Sequence, residues 1–219
     1  MTPVGLLALT VGFGTLFPEV LFTMDYGAFL GDLGLPAEGI DASLAVLEGL
    51  PVPPVVFLVG QRLVSGLTIN AVAALGEELG WRGLLLRELS PLGFWRLSLL
   101  TGVVWGIWHA PLIVQGHNFP DAPVAGIAVM TGWTVAASPL FTYLTVRAGS
   151  VLAATLLHGS FNAVASLSLV YLTGAGNLLV GPVGIAGIGA ALLATAACVV
   201  HDRYVAAVRV TAGGPLESW

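Results

Sequence analysis

Apolar residues run through the chain in long blocks, separated by short clusters of Gly, Pro, Ser and Asn. A helix that crosses a bilayer needs about 20 mainly apolar residues. Six blocks meet that requirement: about 4–24, a long one over 52–89, then 97–115, 122–146, 151–172 and 179–200. The breaks between them carry turn chemistry, in Ser90-Pro91-Leu92-Gly93, Gly116 to Pro120, Arg147-Ala148-Gly149-Ser150 and Gly174-Ala175-Gly176-Asn177. The pattern predicts an all-α fold, a polytopic transmembrane bundle of about six spans, forming one integral membrane domain over 1–219. The first block lacks a basic flank and a small-residue cleavage site, so a span is expected there and not a cleaved signal. A continuous helix over 53–89 would be about 55 Å long, against a hydrocarbon core of about 30 Å. Either 52–62 lies outside or at the outer surface, or the helix breaks near Gly66 or Gly76.

Composition removes the alternatives to a membrane protein. The chain is 57% hydrophobic and 9% charged, with a net charge of -5. A soluble domain has about a quarter charged residues, and this chain cannot build such a polar shell. A disordered chain is excluded on the same ground. With no Lys and a negative balance, so is nucleic acid as a partner. The lone Cys198 sits in an apolar run and reads as a small buried hydrophobe.

The arginines suggest an orientation. Arg82, Arg87 and Arg96 surround one connection, Arg147 lies in another, and Arg203 and Arg209 follow the last block. These are alternate connections and share one side, which the positive-inside rule makes cytoplasmic. Both termini are then expected in the cytoplasm. The opposite connection, 25–50, holds Asp25, Asp32, Glu38, Asp41 and Glu48 and no basic residue. Arg62 departs from the pattern, and an outer-interface position costs it least.

Ionisable groups inside spans default to function, because hydrocarbon penalises them. Three clusters stand out: Glu77-Glu78-Leu79-Gly80-Trp81-Arg82, Trp105-Gly106-Ile107-Trp108-His109 and His158-Gly159-Ser160-Phe161-Asn162. Counted from the arginine-rich edges at about 1.5 Å per residue, Glu77 lies about 15 Å deep, His109 about 20 Å and His158 about 12 Å. A shared polar cavity open to the cytoplasm explains that common layer. Residues four apart share a helix face, so Glu78 can pair with Arg82, Trp105 lies over His109, and His158 over Asn162. Glu77 points about 100° away from Glu78, which leaves it the unpaired carboxylate and a candidate general base. Pro111 removes the backbone bond to Ile107 and is expected to kink the helix beside His109. A glutamate can deprotonate water, and a histidine with an asparagine can donate to an oxyanion. Glu78 with Arg82 can equally be a structural ion pair, and Trp105 and Trp108 can be packing or substrate-cavity residues.

Taken together, the three clusters resemble the signatures of the CAAX protease and bacteriocin-processing family of intramembrane glutamate-dependent endopeptidases. The residues that carry the resemblance are Glu77, Glu78 and Arg82; Trp105 and His109; His158 and Asn162. Gly83 and Trp108-His109-Ala110-Pro111 continue it, and it covers about 75–165, the motif-bearing core. Trp105 replaces the commoner phenylalanine. The resemblance implies hydrolysis of a peptide bond in a membrane-associated peptide or protein, without assuming a prenyl group. It implies that Glu77 activates water, His109 assists, His158 and Asn162 stabilise the oxyanion, and Glu78 and Arg82 hold the site together. No cofactor or metal is expected. Two other readings stay open: a zinc peptidase using Glu77, His109 and His158, although no His-Glu-x-x-His helix is present, and a non-catalytic transporter or scaffold.

Overall fold

The computed structural model describes residues 3–212 together with Gly214 and Leu216. The chain opens with α1 (Pro3–Gly14), a two-residue strand β1 (Leu21–Phe22), and two short helices, α2 (Tyr26–Asp32) and α3 (Ala37–Glu48). A longer pair follows, α4 (Pro54–Leu67) and α5 (Ile69–Glu78), continued by a π-helical turn over Leu79–Leu85 and by α6 (Leu86–Leu89). Then come α7 (Phe94–Trp108), α8 (Ala110–Val114), α9 (Pro123–Ala148) and α10 (Val151–Val164). The chain ends in α11 (Ser168–Tyr171), β2 (Leu172–Thr173), α12 (Asn177–Val180) and α13 (Ile185–Tyr204).

Four helical stretches among the described residues are long and apolar enough to cross a bilayer: Phe94–Val114, Pro123–Ala148, Val151–Tyr171 and Asn177–Tyr204. The α4–α5 pair, bent by 47°, is a fifth if it is one broken span. The protein is an all-α polytopic membrane protein, but the expected count of six spans is corrected. The block over 4–24 does not form a spanning helix. Its helix α1 has 12 residues, about 18 Å, and Pro18 prevents its continuation. The chain then reaches β1 in extended form, where Leu21 pairs with Thr173.

Local chemistry explains the main breaks. The α4–α5 break falls at Thr68, two residues after Gly66, one of the two positions expected from the sequence. There Gly66 and Gly159 of α10 let two backbones meet. A Cβ on Gly66 would lie 2.6 Å from the Ser160 Cα, and one on Gly159 2.6 Å from the Ala71 nitrogen. The α9–α10 turn is made by Gly149, in the left-handed region at φ 60°, and by Ser150, whose hydroxyl accepts from the Leu152 N–H. Helix α7 stops at Trp108 and α8 starts at Ala110, the interruption expected from Pro111.

The connections gather at two ends. At one, Arg147 pairs with Asp202 and donates to the Val208 carbonyl, Trp95 donates to the Thr211 carbonyl, and the Leu216 N–H donates to Ser90. This is the arginine-rich end. At the other, β1 meets β2, Tyr26 and Tyr171 bring their hydroxyls to 3.5 Å, and Asn177 donates to the Asn118 carbonyl. The acidic segment 25–50 belongs to this second end. Phe13 of α1 packs on Gly189, near the start of α13, so α1 also approaches the acidic end through its last turn.

Cysteines placed at Ala37 and Ala212 are therefore expected to label from opposite faces of the membrane. The positive-inside rule predicts that Ala212 is the cytoplasmic one. Labelling of both from one face would contradict the two-ended arrangement, and labelling of Ala212 only from outside would invert the assigned orientation.

Candidate active site

The site is built around a buried carboxylate. Glu78 and Arg82 are each 0% exposed. Arg82 Nη1 donates to both Glu78 oxygens, at 3.1 and 3.2 Å, and Nη2 donates to Ser138 Oγ on α9 at 3.3 Å. The guanidinium carbon lies over the rings of both Trp105 and Phe141, 4.7 Å from each centroid. Such stacking compensates a desolvated cation, and the planar guanidinium suits it better than an ammonium would. His158 Nδ1 also reaches Glu78, at 2.8 Å. One carboxylate thus joins the α5 segment to α10, and its arginine joins both to α7 and α9.

The other polar groups are oriented by the same helices. Trp105 Nε1 donates to Glu77 at 3.2 Å, so Glu77 is not the unpartnered carboxylate that spacing suggests. The kink at His109 has a further effect. The His109 N–H bonds the Gly106 carbonyl, three residues back, which frees the Trp105 carbonyl. His109 Nδ1 takes that acceptor at 2.8 Å. A carbonyl only accepts, so Nδ1 carries the proton and Nε2 is left as the acceptor of the neutral ring.

Glu77, Trp105, Trp108, His109, His158 and Asn162 all line one cavity of about 330 Å³. Trp105 itself is buried, and its ring packs against Arg82, Trp133, Phe141 and His158. Trp108 is half exposed and meets the edge of Trp81. Glu78 and Arg82 stand behind the wall.

Residues 59–164 match the model of the type II CAAX prenyl endopeptidase Rce1-like family. Over this segment, just under half of its length, the chain is similar to that family. The Rce1-like segment includes all eight residues singled out from the sequence. A CAAX prenyl protease 2 of Methanococcus maripaludis is 41% identical over 64 residues, which cover 29% of this chain. The chain spans 24% of that relative's length. No solved structure matches the chain.

Within the Rce1-like segment and beside it, the cavity has walls that the motifs did not indicate. His117 and Asn118 come from the connection after α8, and Pro182 and Val183 from the one before α13. Ser166 lies four residues after Asn162 and continues the face of His158 and Asn162 beyond α10. Spacing could have found Ser166; nothing in the sequence brings His117 or Asn118 back over the site. These residues belong to the acidic end, and among the described residues none of the arginine-rich connections lines the cavity. Among the described residues no three His, Cys, Asp or Glu side chains are placed to hold one metal ion.

Breaking a buried ion pair by removing one partner costs about 3–5 kcal/mol. Arg82→Ala is expected to lower the melting temperature strongly in detergent, because Glu78 keeps only His158. The double change Glu78→Gln with Arg82→Gln should melt above Arg82→Ala, since it leaves no unpaired charge. A melting temperature for Arg82→Ala equal to the parent's would remove the central role given to this pair.

Proposed function

We propose that the protein is an intramembrane endopeptidase that hydrolyses a peptide bond of a membrane-associated peptide or protein with a water activated by Glu77. The observation that carries this reading is the meeting of Glu77, His109, His158 and Asn162, from three helical segments, on one cavity. The family match supports the reaction class, and the name of the Methanococcus relative points to prenylated protein substrates.

Each group has a task that its hydrogen bonds suit. Glu77 accepts a proton from water while the Trp105 N–H holds one of its oxygens in place. The water oxygen adds to the scissile carbonyl, whose oxygen gains the negative charge. The Asn162 side chain makes no hydrogen bond among the described residues and offers its amide N–H groups to that oxygen. His158 already donates Nδ1–H to Glu78, so it can donate through Nε2 only as the doubly protonated imidazolium. Glu78 stabilises that cation and acts through His158 as a positioning residue. Glu77 passes the proton it took from water to His109 Nε2, which delivers it to the departing amine and leaves both groups as they began. The C–N bond then breaks, giving a carboxylate and an amine.

Glu77→Gln keeps the shape and the Trp105 hydrogen bond but cannot take the proton. It should fold with the parent's melting temperature and lose turnover by about 10²–10⁴. His158→Ala and Asn162→Ala should each lose about 10²–10³. Glu78→Gln should lower turnover as well as stability, because the imidazolium loses its counter-charge. The assay would present membrane-anchored C-terminal peptides with and without a prenyl group, and read cleavage by mass. Equal cleavage by parent and Glu77→Gln would end the mechanism. Loss of activity on metal removal, with recovery on Zn²⁺, would replace it with a metal-dependent one.

A further inference from the structure

Arg62 is the one arginine outside the arginine-rich end, and the catalytic reading does not use it. It is exposed on α4, among membrane-facing neighbours: Val56, Phe57, Val64 and Leu67 are all exposed apolar side chains. Arg62 forms no ion pair among the described residues, although Glu48 lies on the neighbouring groove. A cation on a lipid-facing helix is costly unless it reaches the interface or an anion.

Beside Arg62 lies a second cavity, of about 180 Å³, between the α2–α3 pair and the α4 and α11 helices. Phe29, Leu30, Leu47, Leu58, Leu167 and Val170 give it apolar walls. Its only other polar lining residues are Ser166 and Tyr26, and Tyr26 is turned to Tyr171. The volume is several times the roughly 30 Å³ share of a water molecule, and the walls offer water few partners. An apolar slot with one unpaired guanidinium on its rim matches an amphiphile with an anionic head and a hydrocarbon tail.

We infer that Arg62 and this slot bind an anionic phospholipid, with the phosphate on Arg62 and one acyl chain between α2–α3 and α4. The guanidinium is suited to phosphate because it donates two parallel N–H bonds. The lipid would cement the α2–α3 pair, which has no buried residue of its own, onto the bundle. The site is separate from the catalytic cavity, with Ser166 in the wall of both.

The test uses the full chain in a neutral detergent, with phosphatidylglycerol or phosphatidylcholine of the same acyl chains added at equal mole fraction. Phosphatidylglycerol is expected to raise the melting temperature saturably, and phosphatidylcholine to raise it less. Arg62→Gln, an exposed change that leaves the fold intact, should weaken the apparent lipid affinity by at least about tenfold. Leu30→Trp, which fills the slot, should abolish the response while Arg62 is still present. Arg96→Gln, at the arginine-rich end, should respond like the parent. Equal responses of the parent to the two lipids would overturn the inference. So would an unchanged response in Arg62→Gln, or a loss in Arg96→Gln with none in Arg62→Gln, which would assign the effect to general surface charge.

Discussion

A carboxylate with no access to water sets the arrangement of the whole core. Glu78 is fully buried, and an isolated ion there would be severely penalised. It is tolerated because Arg82 and His158 both reach it, and Arg82 is tolerated because two aromatic faces and Ser138 enclose it. These contacts lie on four helical segments, α5 with its π-turn, α7, α9 and α10. Moving any of them leaves a charge, a ring or a hydroxyl without its partner. The catalytic candidates inherit their positions from this knot. Glu77 precedes Glu78, Trp105 stacks on Arg82 and holds Glu77, and His158 is one of the two partners. The π-turn over Leu79–Leu85 contains Arg82, and such wide turns are frequent where function needs a side chain re-aimed.

Helices in a membrane gain little from the hydrophobic effect against one another, so close packing decides their association. The glycines beside the site residues supply it. Gly159 follows His158 and meets the α4–α5 break, while Gly106 follows Trp105 and faces Thr131 of α9. Gly102, one turn earlier, leaves its carbonyl open to the Thr134 hydroxyl at 2.8 Å. Small residues therefore sit at the depth where the charged groups must meet. Any Cβ there would separate the helices and lengthen the hydrogen bonds of Glu78 and Glu77.

What the sequence discloses follows from the range of each interaction. The Glu78–Arg82 pair, the aromatic over His109 and the shared face of His158 and Asn162 are four-residue relations, legible in a helix of known pitch. The break near Gly66 and the kink at Pro111 are local backbone chemistry and are legible too. Contacts between helices are not. His158 reaches Glu78 across 80 residues, and Trp105 reaches Glu77 across 28. Neither follows from depth alone, because depth says nothing about which face a helix turns to its neighbour. The block over 4–24 misleads for another reason. Hydropathy records that a segment avoids water and not that it is helical throughout, and Pro18 divides this one into a short helix and an extended run.

The position of the water supply bears on how such a site could work. The proposed hydrolysis needs water beside Glu77, about halfway through the hydrocarbon by the count of residues. Toward the arginine-rich end the way is closed by Glu78, Arg82, Trp105 and Phe141, all almost fully buried. Toward the acidic end the cavity continues past Asn162 and Ser166 to His117 and Asn118. These groups can hydrate a path without exposing backbone to lipid, since irregular backbone at membrane depth is tolerated where it lines a polar cavity. In the proposed mechanism, water and peptide then enter by the same mouth. In that mechanism the knot that positions the candidate residues is also the floor of the chamber, and the leaflet that the acidic end faces sets the side on which a substrate is met.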